Sequence, residues 1–584
     1  MKEVFMAQQQ GNEQQPVPES ERAPTPARHR SAAVGVVVAA ALAYICCLLI
    51  SITPLQRLHG TIHFAQVQTN RLLTIWGSWL PANLHLTKNA ARQSTGTFEL
   101  ILLLALIFII YGLAAFLLQR QPASSKNPLV FRLILLAVIP MGLIFVLAPA
   151  LLSPDIFTYA DYGLIISAYH ANPYFVMPTA HPENPLIAFD IWRSSTAASG
   201  PVWLVVCAFV AKFATAHPLR YILAFRLLGL AFHLINIVLV AAILGKLGRS
   251  PRTVVVGALL YAWNPLILME TCLNGHNDAL VLTFLLLGTL LGMQAEHNQF
   301  LRPTSYLPPL IAFTLAALIQ PLVTPIIILF LLLLASRAFS AANLPDAPTN
   351  RYPPLALPLS GMLVSALVAL ALYGPFWIGH SVQEIIVSFR SAPPAQFAQG
   401  SILATLQQWN AAHGKPDGFA AILSQHGTWD VLSAVVVISG LLAGGFSLRR
   451  AATMRMLILI ALSILLAVLL ITPWFQPSYL IWLVGMAVIL LPIIYERLSW
   501  GLIAFSLTAS VSALLVYLFD SYQPSGSWII LTPLLIFGPP ILAFLIAFFL
   551  KDTFFLAELW NGKAPENTPL PIEDIDIESS KKGV

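Results

Sequence analysis

Three short runs of the sequence concentrate side chains that can move protons or grip a polar ligand, each where a long apolar run gives way to polar residues. The first is Ser153-Pro154-Asp155-Ile156-Phe157-Thr158-Tyr159-Ala160-Asp161-Tyr162-Gly163. Helix capping accounts for part of it: Ser153 as N-cap, Pro154 at the first helical position, and Asp155 favoured by the helix dipole. A carboxylate at the rim of an apolar cavity is also suited to take a proton from an acceptor hydroxyl, and Asp155 can do both. Asp161 lies six residues on, about 240° round a helix, so the two carboxylates do not make a paired acid and base. Tyr159 falls between them.

The second run is Leu273-Asn274-Gly275-His276-Asn277-Asp278, preceded by Glu270 and by Trp263-Asn264-Pro265-Leu266. Asn274-Gly275 reverses the chain, and Asn277 or Asp278 caps the next helix. A hairpin needs one cap, so His276, Asn277 and Asp278 in succession are candidate substrate contacts. Glu270 is an ionisable group inside an apolar run, a functional candidate by default. Arg226, about two turns into another apolar run, either snorkels outward or meets an anionic headgroup or Glu270. The third run is Trp474-Phe475-Gln476-Pro477-Ser478-Tyr479, an aromatic interface belt or a sugar-stacking surface, with Gln476 its polar member. Between the first two runs lie Asn172-Pro173-Tyr174, a helix stop with two candidate ligand contacts, and Arg193, which either clamps a phosphate or faces water. His233 and Asn236 read as interhelical hydrogen-bond partners.

The elements that must hold these residues are membrane helices. Of 584 residues, 58% are hydrophobic and 10% charged, against about 25% charged in a soluble domain; mean hydropathy is +0.78. Apolar runs at Ala32–Ile52, Phe98–Leu118, Leu129–Leu152, Leu219–Leu244, Val254–Cys272, Ala279–Gln294 and Tyr306–Ile319 come first. Leu322–Ser336, Leu355–Trp377, Val431–Leu448, Met456–Ile471, Tyr479–Tyr495, Trp500–Phe519 and Trp528–Leu550 complete them. They make about fourteen spans of roughly bilayer length. The expected fold is an all-α polytopic membrane protein. Residues 1–31 form a disordered cytoplasmic tail, 32–550 a transmembrane domain with a catalytic outer loop over 153–220, and 551–584 a second tail. The net charge of +6 is a property of helix ends rather than a nucleic-acid surface. With both termini cytoplasmic, the clusters Lys246–Arg252 and Arg449–Arg455 fall inside, as the positive-inside rule requires, and all three chemical runs fall outside. Pro201–Phe213 is too awkward for that topology to span. It reads as an interfacial helix, with Trp203 at headgroup level and Lys212 toward water. Cys46, Cys47, Cys207 and Cys272 have neither metal-ligand spacing nor a disulfide framework, and no phosphate loop or nucleophile elbow is present.

The order of Ser153-Pro154-Asp155, an aromatic amphipathic helix, Asn172-Pro173-Tyr174, Gly200-Pro201-Val202-Trp203, Asn264-Pro265-Leu266 and His276-Asn277-Asp278 resembles the GT-C membrane glycosyltransferases. It is most similar to the polyprenyl-phosphomannose-dependent α-mannosyltransferases of bacterial lipoglycan assembly. The resemblance covers roughly Leu129 to Ser336, and Gln320-Pro321 departs from it where related chains often have Lys before Pro. It implies an essential carboxylate, which falls on Asp155 as general base. It also implies a polyprenyl-phosphate-linked sugar donor lying in the bilayer, a glycan or glycolipid acceptor, inversion by direct displacement, and Arg193, Arg226 or His276 beside the leaving phosphate. No cofactor or metal is required on this reading, and nucleic acid is not a partner. A lipid-sugar flippase or solute transporter would need polar residues spread through the midplane. A polymerase or ligase using lipid-diphosphate donors would keep the fold and change the donor.

Overall fold

In a computed structural model the described residues are 26–55, 61–63, 83–85, 90–121, 128–148, 152–214, 218–297, 303–342, 353–414, 416–490 and 505–511, with 534, 538 and 542. Nine helices among them are long and apolar enough to cross a membrane, or ten if one bent pair is counted as a single span. Two further sequence runs appear as shorter apolar helices, Pro303–Ala317 and Pro477–Leu490. Trp500–Phe519 is described only over 505–511, and of Trp528–Leu550 only three positions are described, while both polar tails lie largely outside the described residues. The first helix begins at Pro26, ahead of the expected Ala32. A three-residue antiparallel ribbon, Thr61–His63 with Asn83–His85, is the one β element among the described residues.

The bent pair is Pro251–Ala262 with Pro265–Leu273, turned by 46°. The break is written in the sequence. Pro265 has no N–H to continue the ladder, and Asn264 Oδ1 instead accepts from the N–H groups of Leu266 (3.0 Å) and Ile267 (3.3 Å). An unpaired backbone group in hydrocarbon costs several kcal/mol, and neighbours meet the freed carbonyls. His233 Nε2 lies 2.9 Å from Ala262 O, and the Tyr111 hydroxyl donates to Leu260 O at 2.7 Å. Asn236 donates to Tyr261 Oη and to Ala279 O. His233 and Asn236 are thus the interhelical partners their types suggested. After the break, Met269–Leu273 relaxes into one π-helical turn, a feature often found at functional sites.

The loop 153–220 is built on two helices, Asp155–Ser167 and Pro201–Ala214, which pack against each other. Gly200 fits the close approach between this loop and the segment before Gln320. Its N–H donates to Ile319 O at 3.1 Å, and a Cβ there would lie 2.0 Å from Leu318 O. One expectation changes here. Trp203 is 2% exposed, its ring edge-on to Tyr159 at 5.2 Å and tilted against Phe225 at 5.7 Å. It is a core residue under the site rather than a headgroup anchor, because it sits on the face of its helix opposite the exposed stripe Val205, Phe209 and Phe213.

Candidate active site

Helix Asp155–Ser167, the hairpin 274–278, the segment 319–320, residues 393–394 and the turn 474–479 converge on one cavity of ≈ 640 Å³ including its open mouth. Asp155, Thr158, Tyr159 and Tyr162 form one wall and Asn277, Gln320, Gln476 and Tyr479 the other, with Ser199, Trp192 and Trp474 toward the rim. The far wall is stitched together by backbone pairing. Gln399 N–H donates to Pro473 O at 3.1 Å, and Phe475 N–H to Gln399 O at 2.8 Å. Trp192 and Trp474 approach to 5.2 Å between ring centroids, and Trp192 and Phe397 to 5.9 Å.

Asp155 is the carboxylate of this cavity. Ser153 Oγ accepts from its N–H at 3.3 Å, but the N-cap position falls on Pro154, which has no side-chain cap, and the helix starts on Asp155 itself rather than on Pro154. Its side chain keeps 15% exposure, and Oδ2 lies 3.4 Å from His276 Nε2. His276 Nε2 also lies 3.0 Å from Ser153 Oγ, and Nδ1 2.7 Å from Glu270 Oε2. Gly275, at φ +65°, makes the turn that swings His276 back over Glu270, a backbone region that favours glycine. Burial opposes charge on His276, but hydrogen bonds and charge from Asp155 and Glu270 override it and push its pKa up to about 10.

Of the expected ligand contacts, Asp155, Tyr159, Asn277 and Gln476 line the cavity. The others do not. His276, Glu270 and Asp278 are 6%, 1% and 2% exposed and stand behind its wall. Asn172 donates to Phe376 O and accepts from Tyr174 N–H, and Tyr174 Oη donates to Ser199 O; both tie the loop down. Arg193 is exposed on that loop and faces away from the cavity lining. Arg226 is fully buried. Its Nε donates to Leu273 O at 2.6 Å and Nη1 to Val146 O and Ala148 O at 3.1 and 2.8 Å, a structural engagement in place of a headgroup or Glu270.

Asp161 sits apart from Asp155, as the helical phase required. It accepts from Asn184 Nδ2 at 2.6 Å and is within hydrogen-bond reach of Asp190, whose Oδ1 accepts from Thr158 Oγ1 and from Trp192 N–H. Burial, then the Asp190 charge, holds the Asp161 carboxyl well above the usual range. Asp161 through Asn184, and Asp190 through Thr158 and Trp192, fasten the strap bearing Trp192 to the Asp155 helix. Sequence reading missed Asp190, which no spacing links to Asp161. It also left Thr158, Tyr162 and Ser199 unassigned. Among the described residues no three His, Cys, Asp or Glu side chains are grouped to hold a metal.

Residues 67–337 match the MptA_B family model, described as alpha-(1->6)-mannopyranosyltransferase, N-terminal domain. The matched span holds Asp155, Glu270, His276, Asn277 and Gln320; the walls at 393–399 and 474–479 lie beyond it. No curated protein and no solved structure gives a significant match.

Proposed function

The chain is a membrane glycosyltransferase carrying an alpha-(1->6)-mannopyranosyltransferase N-terminal domain, and from that premise we propose that it moves mannose from a polyprenyl-phosphate donor to a glycan or glycolipid acceptor at the outer membrane face. The observation that carries this reading is Asp155, a partly exposed carboxylate at the start of helix Asp155–Ser167, opening into a cavity lined with hydroxyls, amides and indoles. Asp155 takes the hydroxyl proton of the acceptor. The hydroxyl oxygen bonds to the anomeric carbon as the bond from that carbon to the phosphate oxygen breaks, and the electron pair leaves with the lipid phosphate. A single displacement of this kind inverts the anomeric centre.

Among the described residues no lysine or arginine lines the cavity. Asn277, Gln320, Gln476 and the tyrosine hydroxyls are the groups that can donate to the departing phosphate. By the positive-inside rule the basic clusters 246–252 and 449–455 mark the cytoplasmic ends of their helices, which supports an outer-face site at the opposite ends and favours a lipid-linked over a nucleotide-linked donor.

The experiment is transfer by the purified protein in nanodiscs, offered polyprenyl-phosphomannose or a mannose nucleotide, with the product's anomeric configuration read by NMR. Inverted product from the lipid donor alone is expected. Transfer from the nucleotide, or retained configuration, would overturn the donor or the mechanism respectively; movement of intact donor across the bilayer of proteoliposomes without transfer would favour the flippase. The rim should set acceptor affinity, since flat indoles bury the apolar faces of sugar rings. Trp192→Ala and Trp474→Ala are each expected to raise the acceptor KM about 10-fold, from loss of ~1–1.5 kcal/mol, with the donor KM unchanged. Unchanged acceptor KM in both would remove the rim from the site.

A further inference from the structure

Behind Asp155 stands a line of ionisable side chains drawn from three separate elements. Glu270 lies on the π turn, His276 follows the Gly275 turn, and Asp155 opens the helix that faces them. The imidazole is engaged at both nitrogens, by Glu270 at 2.7 Å on one side and by Ser153 (3.0 Å) and Asp155 (3.4 Å) on the other. Neither His276 nor Glu270 lines the cavity, so neither is placed to touch substrate. A carboxylate as buried as Glu270, at 1% exposure, is costly unless paired, and turning a hairpin requires no such pair.

We infer that Glu270 and His276 form a relay of charge that positions Asp155, holding Oδ2 so that Oδ1 faces the acceptor hydroxyl. The inference rests on Asp155 being the base. Glu270 accepts the Nδ1 proton, which fixes the plane of the ring and directs Nε2–H at Ser153 Oγ (3.0 Å), with Asp155 Oδ2 beside it at 3.4 Å. Asn274 Nδ2 donates to the same Glu270 oxygen at 3.1 Å and fixes the carboxylate in turn. The imidazolium stands between two carboxylates, so the three groups together carry a net charge of −1. An imidazolium alone would weaken Asp155 as a base, and Glu270 offsets that pull while keeping the geometry.

The charged and titratable groups that face the ring are Asp155, Glu270 and, from the helix that follows, Asp278. Arg226, on the neighbouring helix, directs its guanidinium to the carbonyls of Val146, Ala148 and Leu273. With the pKa of His276 raised to about 10, the cation is present below that pH and lost as pH rises through it. Activity should therefore carry an alkaline limb that belongs to His276.

The test is the pH dependence of kcat and KM for the full-length protein in nanodiscs, as wild type, Glu270→Gln and His276→Gln. A supporting group that orients a reacting residue is typically worth 10–100-fold. Glu270→Gln should lower kcat by about that factor, leave both KM values unchanged, and move the alkaline limb to lower pH. His276→Gln should lower kcat similarly and abolish the limb. Wild-type kcat and profile in either variant would overturn the relay, as would raised KM at constant kcat, which would make His276 a substrate contact. ¹⁵N-histidine NMR provides a readout free of donor and turnover. His276 should be doubly protonated at pH 8 in wild type and neutral in the near-isosteric Glu270→Gln. A neutral His276 in wild type would overturn the relay, whereas wild-type protein inert toward polyprenyl-phosphomannose but with a charged His276 would overturn only the proposed reaction.

Discussion

Asp155→Asn should lower mannosyl transfer by about 10²–10⁴-fold, the usual value of a positioned general base, with donor binding retained. The substitution is nearly isosteric and keeps an acceptor oxygen for the His276 N–H now 3.4 Å away. It forfeits a charge–dipole contribution of about 0.3–1 kcal/mol at the start of helix Asp155–Ser167 and the ion pair with His276, while Glu270 still holds the imidazole from the other side. The fold should therefore survive, and the amide can no longer take a proton. Asp155→Glu keeps the chemistry and displaces it by about one methylene. Misplacement on that scale can cost ~10²-fold, and here it also drives Oδ2 off its place beside His276. The measurement is initial-rate transfer by each purified variant beside donor binding at equilibrium. Near-wild-type turnover in Asp155→Asn would end the assignment of Asp155 as base, and Asn277, Tyr159 and Gln476 would then have to account for the reaction by positioning alone.

What could be read from the chain beforehand follows a physical division. Local signals held in part: Asn274-Gly275 announced the turn and Ser153-Pro154 a helix start, which falls one residue later, on Asp155, while Val254–Cys272, which reads as one span, breaks at Pro265. Helical phase separated Asp161 from Asp155, and the structure gives the two separate surroundings. Types of side chain told which residues needed partners but not which partners they would find. His276 was singled out as a polar residue beyond what a hairpin needs and Glu270 as an ionisable group inside an apolar run, yet their meeting at 2.7 Å also needs the Gly275 turn that brings the ring back over Glu270. Asp190 finds Asp161 across 29 positions of irregular chain with no period to follow. Arg193 and Arg226 were assigned by charge, the property that carries least information about direction. One turns out to face away from the site on an exposed loop and the other to be wholly buried. The walls at 393–394 and 474–479 come from far along the chain, and only the aromatic turn betrayed itself by composition.

Arg226 is where that distinction has the largest consequence for stability. Its guanidinium ties Val146 O and Ala148 O, at the end of one membrane helix, to Leu273 O, at the end of the π turn. Five residues beyond Ala148 comes Ser153, and three beyond Leu273 comes His276. The clamp therefore fixes the distance between the strand of chain that delivers Asp155 and the one that delivers its partner. Arg226→Met fills similar space but supplies no donor. Stranding buried acceptors costs about 1–3 kcal/mol each, and breaking such a buried network typically costs ~3–5 kcal/mol in all. Arg226→Lys restores the charge as a single compact donor and cannot span the carbonyls as a planar fork does, so it should recover only part of the loss. Expected results are a lowered apparent Tm for both variants, Met more than Lys, and loss of transfer that scales with the loss of folded protein. A substrate-binding Arg226 predicts the opposite pattern: wild-type Tm, normal yield and a raised donor KM. Thermal unfolding of the detergent-purified variants beside donor titration separates the two, because a side chain holding three backbone carbonyls cannot be removed without the helices it joins becoming free to part.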